Sequence, residues 1–400
     1  MTRRPRLALV VLFALALLAA AGSAQERAGA SSRSYRGHAS DRDVVNFVSV
    51  YRHTIGSRLD DCQTCHRGGT FTDVRSGRTI TKNPCDYCHL TQHPASGFAE
   101  PMPADFRATL NAYGLAYLGA GRSQRALRAI ARLDSDGDGA ANGAEIAALR
   151  YPGDPASRPG QASVPMRTFT MAQLRALPAR TDFLLVNASR QATDFYASYR
   201  GVRLRDLLLA AGVDPDAPGF TGVTVIAPDG YLKDIGAREI NTAFPPAPFF
   251  GGLDSATLGP DCGYVTYPRP LPAGVSAGAP IPGEPWLLLG YERDGGPLDV
   301  VSLDPATGRI RGEGPFRVVV PQSAPSAPDR GSSAAAVACR AGRAYDATAD
   351  HNADPMVRGV IAIRVNPLPA GVEDFDYRNG GWAYVADASV IVYGAGVRTP

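Results

Sequence analysis

Four of the six cysteines in this 400-residue chain fall into two pentapeptides of one pattern. They are Cys62-Gln63-Thr64-Cys65-His66 and Cys85-Asp86-Tyr87-Cys88-His89. The C-x-x-C-H spacing lets two thiols add across the vinyl groups of one porphyrin and delivers the adjoining imidazole to its iron. The expectation is two covalently bound haem c groups, held by Cys62, Cys65, Cys85 and Cys88, with His66 and His89 as proximal ligands. A four-thiolate zinc ribbon fits the cysteine spacing too. It does not need a histidine after each pair, and with only 6 histidines in the chain chance supplies both in roughly 2 cases in 10⁴.

The sixth position of each iron has several candidates: His38, His53, His93, His351 and the thioether of Met102. His53 and His93 are the preferred pair. His93 lies four residues after His89 and so shares its helical face, which points it toward the neighbouring iron. Bis-imidazole ligation would give low-potential irons suited to electron transfer.

A second constellation follows at 134–145, Asp-Ser-Asp-Gly-Asp-Gly-Ala-Ala-Asn-Gly-Ala-Glu. It matches the twelve-residue EF-hand calcium loop. Asp134, Asp136, Asp138 and Asn142 supply side-chain oxygens, Ala140 a carbonyl, Gly139 the turn, and Glu145 closes the loop. The expected entering helix is 123–133, with Leu127, Ile130 and Leu133 inward, and the exiting helix runs from about 142 to 150. A single such loop argues for a structural brace.

These residues need elements to position them. A helix is expected over 41–59, from the Asp41 cap and the spacing of Val44, Phe47, Val48 and Tyr51. The haem segment, 34–121, holds little hydrocarbon for its length, so folding there should be coupled to porphyrin burial. An EF-hand-like segment follows at 122–150, then a Pro/Gly linker at 151–165. From 166 to 400 short apolar strands recur between turns, at 183–186, 223–227, 286–291, 316–320, 360–365 and 389–393, with one helix at 204–211. The fold class expected is α+β and multidomain, with a small helical diheme segment, one calcium loop and then a mostly β domain.

The N-terminus predicts export. Arg3, Arg4 and Arg6 precede an apolar run over 7–21 and a cut after Ala24, giving a signal peptide at 1–24. The run is shorter than a bilayer span, so no membrane span remains after cleavage, and the expected location is periplasmic or extracellular. Haem attachment to thiols suits that compartment. A net charge of +3, with 20% charged residues, gives no basic stripe for nucleic acid.

The C-terminal pieces resemble the molybdopterin-binding domain of the sulfite oxidase type. The matching stretches are Tyr199-Arg-Gly-Val-Arg-Leu-Arg-Asp206, Ala227-Pro-Asp-Gly-Tyr231, Leu288-Leu-Gly-Tyr-Glu-Arg-Asp-Gly295 and Gly314-Pro-Phe-Arg-Val-Val-Val-Pro321. That resemblance implies a cysteine thiolate on molybdenum shortly before the Tyr-Arg-Gly-Val segment. This chain has Val186-Asn187-Ala188-Ser189 there and no cysteine. The remaining Cys262 and Cys339 are expected to pair in an oxidising compartment.

Nearly the whole mature chain also resembles bacterial diheme c-type cytochromes with a Gly-Glu-Gly-Pro motif. Here it is Gly312-Glu313-Gly314-Pro315, followed by Pro321-Gln322 and Pro328-Asp-Arg-Gly-Ser332. Glu313 and Arg317 are placed to pair. The resemblance implies a redox protein with redox partner proteins and names no substrate.

The leading functional expectation is an exported electron carrier rather than an enzyme. The alternative is an oxidoreductase whose C-terminal domain binds a molybdopterin-type cofactor or small substrate and passes electrons to the haems. Its candidate groups are Asp229, Tyr231, Arg317, Asp329, Arg330 and His351. A third reading is a structural haem protein in a larger assembly.

Overall fold

The computed structural model describes residues 42–60, 64–66, 69–72, 79–82, 107, 110–303, 310–331, 344–375, 382 and 384–399. The expected signal peptide, Cys62, the second pentapeptide with Cys85, Cys88 and His89, and His38, His93, Met102 and Cys339 lie outside them. The described residues up to Gly160 form one compact unit and those from Gln161 another.

In the first unit the helix expected over 41–59 is shorter. It spans Arg42–Val50 and is followed by a 3-10 turn, Arg52–Thr54. Tyr51 leaves helical dihedrals. Thr54 Oγ1 donates to Tyr51 O and Ser57 Oγ to Thr54 O, and such local side-chain bonds compete with continued helix.

Two capped helices follow, Ala112–Gly119 and Gln124–Ile130. Asn111 and Ser123 accept from Gly114 N and Ala126 N, each satisfying a donor that a helix start leaves open. The entering helix ends at Ile130 rather than 133, so Leu133 falls out of its phase and is 50% exposed instead of inward.

Phe47, Leu59, Tyr113, Tyr117, Leu127, Ile130, Ile146 and Tyr151 form one buried cluster. The apolar residues that looked too few in 34–121 are completed by those of 122–151. Tyr151 belongs to this core, with its hydroxyl on Arg58 O. The linker read from composition therefore begins with a packed residue. Backbone pairing also places Gly69–Thr72 antiparallel to Thr79–Lys82.

The second unit is mostly β. One sheet runs Ala179–Val186, Asp194–Arg203, Leu288–Arg293 in antiparallel order, with Arg317–Val319 also on Leu288–Arg293. A second sheet runs Met166–Thr170, Ser389–Gly394, Ala362–Asn366, Gly222–Ile226, Leu232–Gly236. Its neighbours are antiparallel except Ala362–Asn366 with Ser389–Gly394.

The period-two alternation of a strand explains how the first sheet is buried on both faces. Leu184, Val186, Ala197 and Tyr199 enter the main core with both sheets and the helix Leu204–Ala210. Phe183, Leu185 and Tyr196 turn to a second cluster with Phe249 and Tyr264. Rings of Tyr196 and Phe249 meet edge to face at 4.8 Å.

Candidate functional site

The loop between the helices Gln124–Ile130 and Asn142–Ala147 concentrates carboxylates. Ligand atoms of Asp134, Asp136 and Asp138 lie within 4.8 Å of one another. Backbone amides hold this arrangement. Asp134 accepts from Gly137 N at 2.7 Å and Gly139 N at 2.8 Å, and Asp138 accepts from Ala140 N at 2.7 Å. Gly139 has φ +93°, a conformation that a side chain would strain. Asn142 ties the ends of the loop, donating to Ile130 O and Ser135 Oγ and accepting from Ser135 N.

Glu145 sits at 0% exposure on the exiting helix, and neither of its carboxylate oxygens has a hydrogen-bond partner among the described residues. Asp136 Oδ2 and Asp138 Oδ2 are buried without a hydrogen bond as well, the latter 3.9 Å from Arg158 Nε. Uncompensated buried carboxylates are costly. Burial first, then the neighbouring aspartates, raises Glu145 to about 8 and Asp136 to about 6. Asp134 is instead lowered, by the Gly139 amide above all. Three aspartates gathered within 4.8 Å, with Glu145 close enough to feel their charge and unpartnered oxygens on Asp136, Asp138 and Glu145, fit a hard cation with oxygen ligands.

Of the haem residues, Cys65 and His66 are described. Cys65 packs partly buried against the Phe47–Tyr113–Tyr117 cluster, and its carbonyl accepts from Asn111 N at 2.9 Å. His66 bridges backbone to backbone with Leu110. His53 Nε2 lies 3.0 Å from Ile146 O. A carbonyl only accepts, so that nitrogen carries the proton and Nδ1 keeps the lone pair that an iron would need.

In the second unit the Gly-Glu-Gly-Pro segment builds an ion-pair network. Arg317, 6% exposed in its side chain, pairs with Glu313 Oε2 at 3.0 Å as its spacing predicts. Arg293 holds the other Glu313 oxygen, and Tyr199 donates its hydroxyl to Glu313 at 3.1 Å. A Cβ on Gly314 would stand 2.8 Å from Leu298 O, and one on Gly312, at φ +81°, equally near Val300 O. The motif's glycines admit the chain at 298–300.

The place where the resemblance implies a thiolate, Val186 to Ser189, is braced by backbone contacts at the edge of a cavity. Asp194, at 0% exposure, accepts from Ala188 N and Asp329 N at 3.0 Å each. Burial raises it to about 7. Gly331 packs directly against Ala188 O and Gln191 O. Beside this clamp lies a cavity of about 770 Å³, lined by Ala188, Asp229, Tyr231, Glu313, Arg317 and Arg358 among others. No cysteine or histidine is among those lining residues, so the donor set does not fit a molybdenum centre held by a protein thiolate.

The six polar groups named from sequence separate into two places. Asp229, Tyr231 and Arg317 line the cavity. Asp329 and His351 pair elsewhere at 3.3 Å, under the Tyr345 ring, while Arg330 donates to Cys262 O. Cys262 is disulfide-bonded. Sequence reading missed Asp194, Arg293 and Arg358. Only Arg293 lay in a quoted stretch; nothing local marked the other two.

No protein-family model matches the chain, and no curated protein matches it. The resemblances above rest on their motifs alone. No helix among the described residues is long and apolar enough to cross a membrane.

Proposed function

We propose that this protein is an exported diheme c-type cytochrome that carries electrons between redox partner proteins, with a structural calcium ion behind its haem segment. The observation that carries the reading is the pair of C-x-x-C-H pentapeptides. Haem, when bound, supplies reversible one-electron chemistry. Cys62, Cys65, Cys85 and Cys88 would anchor the two groups, and His66 and His89 would bind the irons. The setting of Cys65, beside an apolar cluster of aromatic rings, suits one face of a porphyrin.

Calcium follows the same logic. Asp134, Asp136, Asp138 and Glu145 would hold it, with the Ala140 carbonyl and with Asn142 bracing the loop. Glu145's two unpartnered oxygens are the strongest support. A cation there would link the entering and exiting helices, whose Leu127, Ile130 and Ile146 share the core that Cys65 touches.

The second unit serves binding or docking in this reading rather than molybdenum catalysis. The oxidoreductase alternative keeps one supporting observation, the cavity beside Arg317. Elemental analysis of purified full-length protein tests both. Two irons, one calcium and no molybdenum are expected per chain; stoichiometric molybdenum would overturn the carrier reading.

A further inference from the structure

The cavity of about 770 Å³ in the second unit has a polar wall whose hydrogen-bonding is incomplete. Arg317 spends Nη1 on Tyr199 Oη at 3.1 Å and on Glu313. Its Nη2 meets only Met356 Sδ, at 3.2 Å, and its buried Nε has no acceptor among the described residues. In a planar guanidinium, Nε–H and one Nη2–H project in parallel from the same edge, the fork that matches a carboxylate. A thioether is a weak acceptor on a flexible side chain. That edge is therefore capped by a removable group.

Glu313 is already engaged by Arg293, Arg317 and Tyr199, and its contact with Arg317 is through Nη1, which leaves the Nε/Nη2 edge open. Arg358 stands on the same lining. Burial and then repulsion from Arg317 lower its pKa. Arg190, Arg317 and Arg358 are matched in number by Asp229, Glu313 and Asp354 on this lining, so the open hydrogen-bonding edge of Arg317, rather than net charge, is what a carboxylate would meet. Around them Phe195, Ile310, Val357 and Met356 give the cavity an apolar body, while Asp229 and Asp354 oppose a second anionic group.

We propose that this cavity binds a small organic monocarboxylate, its carboxylate seated on the Nε/Nη2 edge of Arg317 with Met356 displaced and Arg358 alongside. The hydrocarbon part lies against Phe195, Ile310 and Val357. The site needs no metal and stands independently of the haem reading, so failure of one leaves the other untouched.

Isothermal titration of the full chain with benzoate, terephthalate and sulfate tests this. Benzoate is expected to bind saturably at one site, and the other two at least about tenfold more weakly. Met356→Gln places an amide oxygen on the Arg317 edge and is expected to weaken benzoate by tenfold or more while leaving the far-ultraviolet circular dichroism unchanged. Arg358→Ala is expected to weaken it about tenfold. No saturable benzoate binding, equal binding of sulfate or terephthalate, or wild-type affinity in both variants would overturn the proposal.

Discussion

Glu145 offers the sharpest test of the calcium loop, because its carboxylate is buried without a partner. A carboxyl raised on folding holds its proton more tightly in the folded state. The metal-free fold therefore has its full advantage below the unfolded value of 4.5 and loses it as pH climbs through about 8. At pH 7 the penalty of that one group is about 3 kcal/mol, rising toward about 5 kcal/mol above pH 8. Calcium should offset the penalty: at free calcium about a hundredfold above the dissociation constant that holds at that pH, binding stabilises the fold by about 2.7 kcal/mol in all. Glu145→Gln removes both effects. Denaturant unfolding of the full chain, with calcium or with chelator between pH 5 and 8, reads them directly. The wild type in chelator should weaken as pH rises and recover with calcium. The variant should keep only the shallower decline that Asp136 and Asp194 contribute, be indifferent to calcium, and be more stable than metal-free wild type at pH 8. A variant less stable than metal-free wild type at pH 8, or a wild type blind to calcium, would refute the reasoning.

Other consequences follow from buried groups with defined partners. Glu313→Gln leaves Arg293 and Arg317 without their shared carboxylate and should cost about 3–5 kcal/mol in urea unfolding of the second unit. Phe47→Ala opens a cavity in the aromatic core of the first unit, for an expected loss of about 3–5 kcal/mol. Asp194→Asn keeps one acceptor oxygen where Ala188 N and Asp329 N each need one; the loss should be about 1–2 kcal/mol. Asp194 is raised from 3.8 to about 7, so wild-type stability should fall between those pH values. The variant should lack that decline, as unfolding across the range would show.

The acidic loop at 134–145 was legible because its chemistry is local. Twelve consecutive residues carry the ligands, and Gly139 marks the turn within them. Strands such as Ser389–Gly394 were legible from apolar runs bounded by turns, and the Glu313–Arg317 pair from its spacing. What depended on distant partners was not. Tyr151 reads as the first residue of a Pro/Gly linker, yet Arg58, ninety-three positions earlier, binds its hydroxyl. Helix Arg42–Val50 stops early through the bonds of Thr54 and Ser57, which helical spacing does not register. The clamp at Asp194 reaches Asp329 across 135 positions, and no periodicity announces it. The thiolate's absence was plain in the sequence; the clamp that braces its place beside the cavity became visible only in three dimensions.

Intact-mass spectrometry of full-length protein, matured in a host able to attach haem, tests the central claim most directly. The account predicts a mass increase equal to two haem groups after signal removal, retained under denaturing conditions, with Cys62, Cys65, Cys85 and Cys88 unreactive to thiol reagents. Folded protein of unmodified mass, with those thiols alkylated on unfolding, would contradict it.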